Sequence, residues 1–131
     1  MLAALDRAEP MHVASRDALE ADPGPYVLSP FVLCELDYLL TTGVSLETEL
    51  ALLGEVAVGT YELAHFEAGD VEAAFRVIET YRDLRVGLAD ASIVVLAGKL
   101  GTNRVLTLDE RHFRVLTTPS QQTFVVLPAD A

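Results

Sequence analysis

Three carboxylates stand where an acid is costly. Asp90 is the only acid in the stretch 84–98, LRVGLADASIVVLAG, and the helix expected from Leu88 is apolar almost all round. Such a helix is buried, and a carboxylate on it must be paired, neutralised or bound to a cation. The plainer alternative is a first-turn Asp favoured by the helix dipole and turned to water. Asp109 follows the apolar run Arg104–Leu108 and so sits at the C-terminal end of an expected strand, where open α/β sheets bind their ligands. A turn or helix-capping Asp is the ordinary alternative there. Glu35 lies in FVLCELDYLL, with Phe31, Val32, Tyr38 and Leu39 as its helical neighbours, which points it into a poorly solvated surface. Asp37 has a similar case, among Leu33, Cys34, Leu40 and Thr41. The two lie about 200° apart around a helix, so only one can face a given pocket, and periodicity does not choose between them.

Acids that converge without histidine or cysteine partners describe a hard-cation site. Mg2+ and Mn2+ take oxygen ligands and retain waters, and such ions activate water and stabilise charge in phosphodiester hydrolysis. Without a cation the acids would repel one another, and one would tend to keep its proton. Other chemistries lack their motifs: there is no GxSxG, no HExxH and no GxxxxGK[ST] in the chain. Cys34 sits among apolar residues and reads as core. His12, His65 and His112 are scattered and read as surface or hydrogen-bonding groups, although His112, three residues after Asp109, is in reach of the same pocket.

These residues need elements to carry them. Leu2–Leu5 reads as a helix fragment broken by Pro10, and His12–Ala21 as a helix, with a loop at Asp22-Pro23-Gly24-Pro25. Tyr26–Leu28 reads as a strand; Ser29 with Pro30 then opens a helix over Phe31–Thr42, stopped by Gly43. Ser45 caps a helix over Leu46–Glu55. A strand over Gly59–Leu63, a helix over Glu67–Tyr81 and a helix over Leu88–Leu100 ended by Gly101 follow. Strands are expected at Arg104–Leu108 and Phe124–Leu127. Helices alternating with short apolar strands favour an α/β layered domain with a mostly parallel sheet, over a helical bundle that leaves 104–108 and 123–127 unexplained.

The chain has 131 residues, 51% of them hydrophobic, and a formal net charge of −11. That length suits one domain with a real core. One cysteine excludes an intrachain disulfide framework and a cysteine-rich zinc module. No apolar run is long enough to span a bilayer, and the first ten residues lack the pattern of a secretory signal. A cytoplasmic protein without a membrane partner is expected. So acidic a chain has no general footprint for nucleic acid. Residues 82–114 depart from the average: Arg82, Arg85, Lys99, Arg104, Arg111 and Arg114 against Asp83, Asp90, Asp109 and Glu110 give +2, while the other 98 residues carry −13. A polyanion should bind near this segment if anywhere.

With these residues in view, the sequence resembles the PIN-domain ribonucleases, most closely the VapC toxins of prokaryotic toxin–antitoxin pairs. The matching segments are Leu2–Arg7 with Pro10 and His12, Ser29-Pro30 through Glu35, Gly87–Ser92, and Thr107–Phe113. They run in the family's order over nearly the whole chain. The resemblance implies one PIN-like domain over 1–131, with a central, mostly parallel sheet flanked by helices. It implies a metal-dependent endoribonuclease, the toxin of a VapBC-like pair, whose acids bind Mg2+ or Mn2+ and cleave RNA. Carried over by position, the catalytic and metal-holding acids are Glu35, Asp90 and Asp109, so the resemblance favours Glu35 over Asp37. It further implies a small antitoxin partner and a homodimer.

The chain departs from the family pattern at its start. The family opens with a strand ending in an Asp, followed after a spacer by Ser or Thr; here Met1 falls inside the first helix. The domain is therefore expected to be truncated, with a central strand and the first acid missing, through a start codon assigned too late or a degenerate gene. A chain so shortened leaves the strands beside the gap without ladder partners and weakens metal binding. The alternative function is a catalytically impaired binding module that holds an antitoxin or dimerises without turnover, offering a partner helix a groove near Leu33, Leu36, Leu40 and Leu52. A phosphatase or DNA nuclease built on the same acids is a third reading.

Overall fold

The computed structural model describes residues 26–107, 110–127 and 129–130, with the backbone but not the side chain of Glu110. The helices expected at 2–5 and 12–21, the loop at 22–25, Leu108 and Asp109 lie outside the described residues. The chain divides into two compact units, one ending at Ala64 and one spanning His65–Ala131.

The first unit is a parallel strand pair joined by a helical hairpin. Strand β1 (Val27–Leu28) leads into helix α1 (Pro30–Gly43), helix α2 (Leu46–Ala57) and strand β2 (Glu62–Leu63). β1 and β2 pair in parallel, Val27 opposite Glu62 and Leu28 opposite Leu63. Both expected caps form. The Ser29 hydroxyl accepts from the Phe31 and Val32 amides at 3.2 and 3.4 Å, with Pro30 in the first turn where its missing N–H is no loss. The Ser45 hydroxyl accepts from the Thr48 amide at 3.1 Å. Leu28, Leu36, Leu40 and Leu52 form the core, with Val32, Leu33, Val56 and Tyr61 packed on it. Three of the residues expected to line a partner groove, Leu36, Leu40 and Leu52, are thus buried inside the unit. The large apolar side chains α1 and α2 actually expose are Tyr38, Leu39, Leu46, Leu50 and Leu53, with Val44 and Val58 just beyond their ends. β2 begins three residues later than expected, because Gly59 takes φ +87° as the chain leaves α2, a conformation outside the β region.

The second unit contains helix α3 (Ala68–Thr80), a 3-10 turn (Arg82–Leu84), helix α4 (Leu88–Leu100), strand β3 (Arg104–Leu106), helix α5 (Glu110–Phe113) and strand β4 (Val125–Leu127). β3 and β4 pair in parallel with Val105 opposite Val126. Parallel strands need a crossover, and here α5 and the loop after it provide one. α4 is the spine of the unit, burying Ala89, Ala91, Ser92, Val94, Val95, Leu96 and Ala97. It stops at Gly101, which takes φ +66° and donates its amide to the Ala97 carbonyl. The core adds Ala74 from α3, Phe113, Leu116 and Phe124. Phe113 and Phe124 meet edge to face, centroids 5.3 Å apart at 82°.

Candidate functional site

Asp90 sits in the first turn of α4, three residues beyond the opening Gly87. The residues on either side of it, Ala89 and Ala91, are buried, while the Asp90 side chain keeps 27% exposure. The helix N-terminus favours a negative charge there. Its Oδ2 accepts a hydrogen bond from His112 Nδ1 at 2.6 Å. A carboxylate only accepts, so Nδ1 carries the hydrogen in this contact. The His112 side chain is 15% exposed. It is delivered by α5, whose next residue, Phe113, is fixed in the core, and its carbonyl accepts from the Val115 and Leu116 amides at 3.1 and 2.9 Å. The contact joins positions 22 residues apart. His112 therefore sits beside Asp90.

Glu35 is placed differently from the expectation. It is exposed on α1, as is Cys34, which is neither core nor paired. The physical reason is the helix phase: the buried stripe of α1 runs through Leu36 and Leu40, which turns positions 34 and 35 outward. Asp37, the alternative acid, is the more constrained. It shares a hydrogen bond with Glu49 of α2, and that bond, then burial, raises its carboxyl above the usual range. Glu49 is lowered by the same bond and by the Thr41 hydroxyl, which donates to its Oε2 at 2.7 Å. Asp37 Oδ1 is buried without a hydrogen-bond partner among the described residues. The Asp37–Glu49–Thr41 cluster joins α1 to α2, and sequence reading missed it; its signal is Asp37 and Thr41 one turn apart facing the first turn of α2.

Among the described residues no group of three or more histidine, cysteine, aspartate or glutamate side chains gathers as a metal cage, and Asp109 lies outside them. The chemistry of Asp90 nevertheless fits a hard cation. Its Oδ2 is engaged by His112, and among the described residues Oδ1 takes part in no hydrogen bond. One free anionic oxygen with a hydrogen-bonded partner oxygen is how ligating carboxylates are commonly held.

The six basic residues of 82–114 are all exposed. Lys99 bonds Asp70 of α3 at 3.0 Å. Arg114 grips Asp130 through two 2.8 Å bonds, and Asp130 also accepts from the Val126 amide at 2.8 Å. The Arg114 guanidinium first, and the Val126 amide second, hold the Asp130 carboxyl down to about 2. Arg82 and Arg85 have no ion pair among the described residues. They flank the 3-10 turn that leads to Gly87 and Asp90. A cleft of about 410 Å³ lies at the other end of α4, lined by Ala97, Gly98, Gly101, Pro119 and polar neighbours; it is about 12 Å along the helix axis from Asp90 and contains no acid. No helix among the described residues is long and apolar enough to cross a membrane.

The family model for the PIN domain matches residues 1–117. The chain is 44% identical over 128 residues to Ribonuclease VapC26 of Mycobacterium tuberculosis, covering 98% of this chain and 95% of that protein. Its structure is similar to the crystal structure of VapC20 of M. tuberculosis, a Sarcin-Ricin loop cleaving toxin, with a TM-score of 0.78 at 17% identity, over 84% of this chain and 85% of that one.

Proposed function

The chain belongs to the PIN-domain family, and from that premise we propose that it is a metal-dependent endoribonuclease, the toxin of a VapBC-like pair. The observation that carries the reading is the half-exposed Asp90 carboxylate on the first turn of a buried helix, with one oxygen bonded to His112 and the other open. Asp90, Glu35 and Asp109 are the acids that would hold the cation, Mg2+ or Mn2+. When bound, the cation supplies activation of water and neutralisation of charge at the phosphodiester. The remaining work falls to the chain. Burial of α4 fixes the backbone from which Asp90 projects, so the helix carrying the carboxylate need not move to present it. The exposed Arg82 and Arg85 hold backbone phosphates and set the strand's register over Asp90.

RNA is the substrate class, supported by the name of the 44% identical relative. The same resemblance supports a cognate antitoxin, a homodimer, a cytoplasmic location and a single PIN domain. The most exposed of the apolar side chains on α1 and α2, Tyr38, Leu46 and Leu50, are the surface on which an antitoxin helix would lie.

The test compares the purified chain with Asp90→Asn on a labelled RNA, with Mg2+ and with EDTA. Cleavage by the wild type in Mg2+, lost in EDTA and in Asp90→Asn, supports the reading. Equal cleavage by Asp90→Asn refutes the assignment of Asp90.

A further inference from the structure

Building on the reading that Asp90 is a cation ligand, we propose that His112 is a positioning residue that fixes the Asp90 carboxylate so that Oδ1 faces the cation. The side chain of an aspartate turns easily about its last torsion, whose energy wells are broad. A ligand that must meet a small, geometrically demanding cation gains from being held. Here the hold is a 2.6 Å bond from His112 Nδ1 to Oδ2. That bond consumes one oxygen and defines where the other points.

The ring is itself held, which a surface histidine would not be. His112 is the third residue of the four-residue α5. Its neighbour Phe113 is 2% exposed and packed edge-on against Phe124. The turn beyond it closes through two amide bonds to the His112 carbonyl, and Leu116 anchors that turn in the core. Core packing thus reaches the carboxylate through one imidazole. Partners that hold a ligating carboxylate in this way change metal affinity by about 10–100-fold when removed.

A tie that merely joins α4 to α5 would affect stability and leave cation affinity alone. The experiment therefore reads Mn2+ affinity directly, by calorimetry or Mn2+ spin resonance on the full chain, at a temperature where circular dichroism shows every variant folded. His112→Ala and His112→Gln are expected to weaken Mn2+ binding by about 10–100-fold. His112→Asn, whose amide nitrogen takes the place of Nδ1, is expected to restore most of it; the glutamine amide lies a bond further out and does not. Because the asparagine and glutamine variants differ by one methylene, the comparison survives a failure of the alanine variant to fold. Wild-type affinity in His112→Gln overturns the proposal, as does an asparagine variant as weak as glutamine. Asp90→Asn separates the proposal from its premise: if Asp90→Asn binds Mn2+ like the wild type, or the wild type binds none at millimolar Mn2+, the assignment of Asp90 falls and takes the proposal with it. If Asp90→Asn loses binding and His112→Gln does not, only the role of His112 falls.

Discussion

Adding one methyl group at two helical glycines should move stability in opposite directions. Alanine is preferred to glycine inside a helix by about 0.5–1 kcal/mol. At Gly54, in α2, a Cβ would meet nothing within 4 Å, so Gly54→Ala should stabilise by about that amount. At Gly98, in α4, a Cβ would fall 2.5 Å from Cγ of Pro119 and 3.1 Å from its Cδ. The proline cannot easily retreat. Its loop is pinned by the Thr118 amide on the Gln122 carbonyl, the Gln121 amide on the Thr118 carbonyl and the Gln122 amide on the Thr118 hydroxyl, at 2.9, 2.8 and 3.1 Å. Overpacking of this kind costs about 1–3 kcal/mol. The helical gain offsets only part, leaving Gly98→Ala destabilised by about 1 kcal/mol. With a urea slope of about 2 kcal/mol/M, the midpoint should fall by about 0.5 M for Gly98→Ala and rise by about 0.3–0.5 M for Gly54→Ala. Urea titration followed by far-ultraviolet circular dichroism reads both. A midpoint for Gly98→Ala that rises with that of Gly54→Ala would refute the claim that α4 and the loop at 117–123 are in contact through the missing side chain.

Two further outcomes concern charge. Arg85 adopts φ 56° and ψ 47°, a conformation glycine takes without strain; Arg85→Gly should therefore leave stability within about 0.5 kcal/mol while lowering the slope of log affinity for single-stranded RNA against log salt by about 0.7, measured in EDTA so that no cleavage occurs. An unchanged slope removes Arg85 from the RNA path. Asp130, whose carboxyl is held at about 2 against an ordinary 3.8, has a lowered value in the fold. Its stabilisation is complete above about pH 4 and lost as the pH falls toward 2. Thermal midpoints of Asp130→Asn over this range should show a shallower acid limb than the wild type, and identical limbs would count against the Arg114 clamp.

The legible parts of the molecule were those set by local chemistry. Ser29 with Pro30, Ser45 and Gly101 each mark a helix end by a single side chain or its absence, and the helix ends fall there. Asp90 was legible because one acid interrupts a run of apolar residues, which is a statement about burial rather than contact. α1 was less so. Phe31, Val32, Leu33, Leu36, Leu39 and Leu40 leave hardly any face polar, so the sequence does not say which stripe is inward, and the exposure of Cys34 and Glu35 is decided by packing on Leu28 and Leu52. The partners of Asp90, Asp37 and Asp130 lie 22, 12 and 16 residues away. No periodicity records such pairs; they exist only once distant segments have packed together. No sequence pattern marks the residues beyond the strand expected to end at Leu127, yet Asp130 returns to Arg114 and Val126.

The placement of Asp90 on α4 has a consequence for anyone who searches this protein by random mutagenesis. Seven of the thirteen residues of α4 are buried, so a library scored by loss of toxicity should return more than half of the helix as intolerant, and Asp90 would be hidden among positions that fail for want of a folded chain. Glu35 stands on a helix in which only Leu36 and Leu40 are buried. There a loss-of-toxicity signal at an outward carboxylate would stand alone against a permissive background. Screens that count soluble protein alongside toxicity would separate the two cases, since changes at Asp90 should spare yield where changes at Val94 or Leu96 should not.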